Sequence, residues 1–251
     1  MIHTGQTAAE AKQALAVFAD PIRAKNSNWF FKTGPGEYGE GDVFIGAKVP
    51  QVRAVGKRFF YLPLEELREL AESPVHEERL MAAHILAARF ALLKPTAENQ
   101  NARRQLFEFY LELGLEQRWN NWDLIDTSAP YFGSWLIEHP DDALLERLSK
   151  SDSLWDRRLA VMFTFAHIRA GILEPTLKLA RTLHNDKQDL IHKAVGWMLR
   201  ELGKRNIDAL RTYLEEMGAT MARTQLRYAI EKLEPSERAH FMGLAKASGI
   251  R

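Results

Sequence analysis

The chain of 251 residues contains no cysteine, which excludes disulfides, thiolate zinc sites and iron–sulfur clusters and fits a reducing compartment. Its 34 lysines and arginines face 33 aspartates and glutamates, so the net charge of +1 names no partner. The distribution says more: residues 1–150 carry 17 basic and 21 acidic side chains, residues 151–251 carry 17 and 12, and a basic half fits either a polyanion or a solvated surface.

The opening stretch, Met1 to Gln6, has neither the basic nor the apolar region of a signal peptide. No apolar run approaches the roughly 18 residues of a bilayer span. A cytosolic protein is expected.

Nearly every segment reads as helix. Ala8–Ala19 is alanine-rich and periodic, and Pro21 starts a second helix to about Phe31. One long irregular stretch follows, Lys32 to Asp42. Its Gly34, Gly36 and Gly39 match GxGxxG formally, but no strand precedes them, Pro35 stiffens the stretch and no βαβ alternation surrounds it. It reads as a surface loop, a lid or a partner contact. Pro50 opens the next helix. Others cover Leu64–Ala71, Glu77–Leu93, Ala97–Leu113, Tyr131–Glu138, Asp141–Ser149, Leu154–Ala170, Pro175–Leu183, Lys187–Gly203, Asp208–Met217, Ala222–Lys232 and Glu237–Ala245. Ser153 with Asp156 resembles a capping box.

Helices of similar length joined by short turns give an all-α fold. It is a solenoid or superhelix of HEAT-like antiparallel helix pairs with a concave basic groove, in a single domain over residues 1–251. The histidine pairs His76/His84 and His184/His192 are eight apart, a spacing of surface or packing residues rather than metal ligands. Neither metal nor cofactor is expected.

Three places break the packing rule. In Asn121-Trp122-Asp123-Leu124-Ile125-Asp126, Trp122 and Asp126 stand four apart and share one helix face, while Asp123 is turned roughly 100° away. A ring and a carboxylate can then meet one ligand; alternatively Trp122 is core and Asp126 ends a helix near Ser128 and Pro130. In Lys187–Gly203, Ile191, Ala194, Val195, Met198, Leu199 and Leu202 form the core stripe. Lys193, Trp197, Arg200 and Lys204 lie opposite, as an aromatic platform among cations or as a second packing face. In Leu154–Ala170, Arg158 falls inside the apolar stripe and requires an anion; Asp126 is the nominated partner, and a structural bridge between repeats is the alternative.

These residues carry a resemblance. Lys32–Gly46, Val49-Pro50-Gln51-Val52-Arg53, Asn121–Asp126, Leu154-Trp155-Asp156-Arg157-Arg158 and Lys193-Ala194-Val195-Gly196-Trp197-Met198-Leu199-Arg200-Glu201 resemble the AlkD-type alkylpurine DNA glycosylases, DNA alkylation repair enzymes built of HEAT-like repeats. The resemblance spans most of the chain and is most specific at WDxxD and KAxGWxLRE. It implies a monofunctional base-excision repair glycosylase that releases N3- and N7-alkylated purines from double-stranded DNA without metal or cofactor. It places the catalytic aspartate at Asp126, the sugar-contacting tryptophans at Trp122 and Trp197, and the site arginine at Arg158. Arg53, Arg157, Lys193, Arg200 and Lys204 are the cations expected to meet DNA, and a monomer is expected. The glycine loop is longer than in compact members of that family. A non-catalytic binder of bent or damaged DNA with the same fold, and a protein-interaction scaffold, stay open as alternatives.

Overall fold

A computed structural model describes residues 6–247, and among these there are helices and a single isolated bridge, Val43 with Val75, but no strand. The signal-peptide reading of residues 1–5 lies outside them. The chain separates into two compact units, residues 1–128 and 129–251.

The first unit contains α1 (Ala8–Ala16), α2 (Pro21–Phe30), α3 (Val49–Arg58), α4 (Leu64–Ala71), α5 (His76–Leu92) and α6 (Gln100–Leu115). The helix α7 (Trp122–Phe132) begins in it, and the division falls within that helix. Local chemistry sets the boundaries. Thr7 and Glu10 form a reciprocal capping box on α1, and Asp20 caps α2 ahead of Pro21. The central element is α5, against which α3, α4 and α6 pack. It buries residues around most of its circumference, including Leu80, Met81, Ile85, Leu86 and Phe90, as expected of a helix covered on several sides.

The second unit continues with α8 (Trp135–Glu138), α9 (Asp142–Ser149), α10 (Leu154–Arg169), α11 (Glu174–Thr182), α12 (Asp189–Arg205), α13 (Ile207–Met217), α14 (Arg223–Ala229) and α15 (Pro235–Ala247). Here α10 is the central element, packing on α9, α11 and α12, and α12 packs in turn on α13 and α14. Ser153 caps α10 by accepting from the Trp155 and Asp156 amides, while the Asp156 carboxylate accepts from Ser151 Oγ.

Two expectations are corrected. The helix expected from Tyr131 belongs instead to α7, which runs through Pro130 to Phe132 and is followed by the short α8. An interior proline lacks its own amide bond and its ring crowds the carbonyl four residues back, yet the ladder resumes with Gly133 N–H donating to the Ala129 carbonyl at 2.9 Å. Asp42, expected at the surface as the end of the loop from Lys32, is instead buried in the first unit, and Phe44 and Gly46 just after it are buried as well.

Gly196, inside the KAxGWxLRE motif, has a packing reason. A Cβ there would lie 2.5 Å from the Gln225 carbonyl oxygen and 2.6 Å from Tyr228 Cβ, so α12 and α14 approach only because the position is glycine. Gly196→Ala is expected to destabilise the protein in urea denaturation by about 1–3 kcal/mol. Gly243→Ala, where an added Cβ meets nothing within 4 Å, should change stability by less than about 1 kcal/mol and in the stabilising direction. Equal effects at the two positions would contradict the close approach.

Candidate functional site

The helix α7 carries the first part of the site. Asn121 starts it, its Oδ1 accepting from the Trp122 amide at 2.9 Å. Asp123, Leu124 and Ile125 are buried, while Trp122 and Asp126 are half-buried on one face a turn apart. Trp122 is therefore not a core residue. One face of its ring stacks on Phe31, with centroids 5.5 Å apart and planes at 20°, and Phe30 meets it edge-on at 6.1 Å. Below Asp126 the interior is tightly bonded: the buried Tyr110 hydroxyl and Ser128 Oγ lie 2.7 Å apart. Burial, with the Asp126 charge acting in the same direction, raises the Tyr110 hydroxyl, so it stays a neutral hydrogen-bonding group. Pro130 has no amide to close on the Asp126 carbonyl, the partner a regular helix would supply.

The residues that fix α7 were not singled out as functional by the sequence. Asp42, from the end of the glycine loop, is buried and accepts from His76 Nδ1 at 3.1 Å, from Arg79 Nη2 and from Asn121 Nδ2 at 3.1 Å. The other face of the histidine meets α7: His76 Nε2 and Asp123 Oδ2 are 2.9 Å apart. The imidazole stacks on Phe44 at 4.5 Å, and Phe31, which carries Trp122, lies 5.0 Å away. Two carboxylates and two cations thus hold the loop, α5 and the start of α7 together. Glu77 adds a second clamp, accepting from the Ile45 and Gly46 amides at 3.1 and 2.7 Å. Gly46 takes φ +84°, and a Cβ there would stand 2.3 Å from the Asp20 carbonyl oxygen. Histidine 76 is accordingly neither a surface residue nor mere packing. The signal was present: His76, Glu77, Glu78 and Arg79 crowd the first turn of a helix whose remainder is apolar but for His84 and Arg89.

In His76, burial opposes the charge, but the Asp123 carboxylate, supported by Asp42, outweighs it and raises the imidazole to about 9. Asp42 is pushed up by burial, yet its bonds to His76 and the Arg79 charge hold it below the usual carboxylate range. His84, one helix face away, is driven down to about 4 by burial and by the Arg53 charge.

The second unit holds the other candidates. Arg158 is buried, as its place in the stripe requires, and donates to the Leu190 carbonyl. Trp197 is half-buried on α12, 6.1 Å from Phe165, with its indole N–H donating to Glu201 at 3.2 Å. The surrounding cations all have acidic partners: Lys193 pairs with Asp189 at 2.7 Å, Lys204 with Glu201 at 2.7 Å, and Arg200 with Glu231. Arg157 is committed to Asp186 at 2.6 Å and to the Ser151 and Asp152 carbonyls. In the first unit, Arg53 is exposed on α3. Among the described residues no group of three or more histidine, aspartate or glutamate side chains is placed to hold a metal ion, and no helix is long and apolar enough to cross a membrane.

The sequence matches a family model, DNA alkylation repair enzyme, over residues 11–233. In fold the chain is similar to a solved structure described as "Predicted DNA alkylation repair enzyme from Enterococcus faecalis", with a TM-score of 0.66, 18% identity, and coverage of 86% of this chain and 97% of that one. None of the curated proteins compared with the chain matches it.

The His76 network carries a pH dependence whose sign is fixed. The folded state holds the imidazole proton more tightly than the unfolded state, whose histidine titrates near 6.5. Stability from this source is full below that value and is lost as pH rises through about 9. Urea denaturation at pH 6 and pH 9.5 should show wild type losing on the order of 3 kcal/mol more than His76→Gln. Parallel curves for the two proteins would remove His76 from its charged role.

Proposed function

Because the chain belongs to the DNA alkylation repair enzyme family, we propose that it is a monofunctional DNA glycosylase. It hydrolyses the N-glycosidic bond of N3- and N7-alkylated purines in duplex DNA and acts as a monomer. The observation that carries this reading is the shared, half-open face of Trp122 and Asp126 on α7, with the intervening side chains turned inward.

The chemistry asks little of the protein. Alkylation at N3 or N7 makes the purine a cation, hence a good leaving group. What remains is to stabilise the oxocarbenium character of the deoxyribose and to hold a water. The Asp126 carboxylate suits both: its charge opposes the developing cation, and its second oxygen can accept from the water that attacks the anomeric carbon. That attack forms the new C–O bond as the C–N bond breaks and the base leaves with the bonding pair. A tryptophan face carries negative quadrupole density and attracts a sugar cation. Phe31 occupies one face of Trp122, so the ring is held rigidly and has its other face for that contact. Trp197 and Arg158 are assigned to the same reaction by the match of their motifs to the family pattern, Trp197 to the sugar and Arg158 to a phosphate or to keeping the aspartate ionised.

The paired cations shape the expectation for binding. Lys193, Arg200 and Lys204 each exchange a carboxylate for a phosphate when DNA arrives, so each contributes less than an unpaired cation does. Asp126→Asn is expected to bind methylated duplex like wild type and to lose release of 7-methylguanine. Release at the wild-type rate would refute the role of Asp126, and salt-sensitive binding without release by either protein would point to a non-catalytic DNA binder. Arg200→Ala should weaken binding to methylated and unmodified duplex about equally and reduce the salt slope by up to about one. A selective loss on methylated duplex would place Arg200 at the lesion instead.

A further inference from the structure

The helix α2 buries none of its ten residues, although it carries three large apolar side chains. Ile22 and Trp29 are each 77% exposed and Phe30 is 55% exposed. A solvated helix of a stable unit gains nothing from displaying these groups to water. Their spacing puts Ile22, Trp29 and Phe30 on one side of the helix, with Lys25 between them. Of the cations here, Arg23 pairs with the capping Asp20 at 3.0 Å, which leaves Lys25 and Lys32 beside the exposed rings, with no acidic side chain between Ile22 and Gly36.

The end of the helix is specially shaped. Lys32 takes a left-handed backbone conformation, φ 56°, which lysine seldom adopts. The turn brings its ammonium over the Trp29 ring, 5.4 Å from the centroid. Gly39 secures the turn: its amide donates to the Lys32 carbonyl at 2.9 Å, and a Cβ there would strike the Phe31 carbonyl oxygen at 2.3 Å. The exposed surface also continues into the candidate site, because the Phe30 ring meets Trp122 at 6.1 Å.

We propose that the aromatic end of α2, Trp29 and Phe30 with Lys25 and Lys32, is a nucleic-acid contact that stacks on nucleotides beside the lesion while the two lysines meet the flanking phosphates. Aromatic faces beside cations, with no carboxylate among them, are the composition that takes bases and backbone together. The inference rests on the glycosylase reading, since it treats Trp122 as the neighbour that meets the sugar.

The test is binding of the full chain to unmodified and methylated duplexes across a salt series, with base release followed in parallel. Trp29→Ala should weaken binding roughly ten- to a hundredfold with the salt slope unchanged, because stacking releases no counterion, and Trp29→Tyr should restore most of the affinity. Lys25→Ala with Lys32→Ala should lower the slope by up to about two. Trp29 is exposed, so an unchanged thermal midpoint separates lost contact from lost fold. Wild-type affinity in Trp29→Ala, with base release intact, would overturn this inference and leave the glycosylase reading standing. Duplex binding weakened in Trp29→Ala, with no base release by wild type, would overturn the glycosylase reading and keep the contact. Dimerisation of wild type abolished by Trp29→Ala, at unchanged DNA affinity, would assign the surface to a second copy of the chain and overturn the proposal.

Discussion

The first unit depends on one buried carboxylate. Asp42 receives hydrogen bonds from four side chains, His76 and Arg79 on α5 and Asn120 and Asn121 at the start of α7, at a depth where an unpaired charge is strongly destabilising. Removing one partner of such a set costs about 3–5 kcal/mol, because the remaining charges are stranded. The arrangement therefore admits one geometry for the glycine loop, α5 and the start of α7. The position of Trp122 follows from it twice, through the backbone of α7 and through the stack of Phe44, His76 and Phe31 beneath its ring. A helix held by charges in addition to apolar contact has little freedom to slide, since ionic hydrogen bonds have direction and apolar contacts do not.

The second unit solves a similar problem by contact distance. Gly133 lies where a Cβ would stand 2.1 Å from the Phe163 carbonyl oxygen, and Gly196 does the same for α12 against α14. The motif around Trp197 thus mixes two demands. Gly196 serves close helix packing, while Trp197 stays half-buried with Glu201 on its indole N–H. The basic character expected of this face is tempered by Asp189, Glu201 and Glu231, which pair with the lysines and the arginine that a helical wheel shows as a bare row.

Helix positions were legible because periodicity and prolines are local signals. Leu64–Ala71 has the expected limits, and Pro21 opens α2 as anticipated. The interior proline was not legible in the same way: Pro130 reads as a stop, yet α7 runs on to Phe132, which is fully buried. Of the candidate site, the Trp122–Asp126 face was visible from their spacing and the burial of Arg158 from its place in the stripe. Asp42 was not, because its partners lie 37 and 79 residues away in Arg79 and Asn121, and no local pattern encodes that distance. Likewise a wheel diagram of α12 shows Lys193 and Arg200 but not Glu231, which comes from beyond α14.

The anchoring of Asp42 divides the long connection between α2 and α3 into two parts with different histories open to them. From Asp42 to Gly46 the chain is fixed by side-chain bonds and a left-handed glycine, so a single inserted residue would move a buried charge off its partners. Between Gly34 and Glu37 the chain spans the turn that Gly39 closes on the Lys32 carbonyl, and lengthening such a bridge is inexpensive, each doubling adding roughly 0.6 kcal/mol. A longer tip would therefore leave the helix that bears Asp126 undisturbed. New surface can be added next to the site while the site itself stays unaltered.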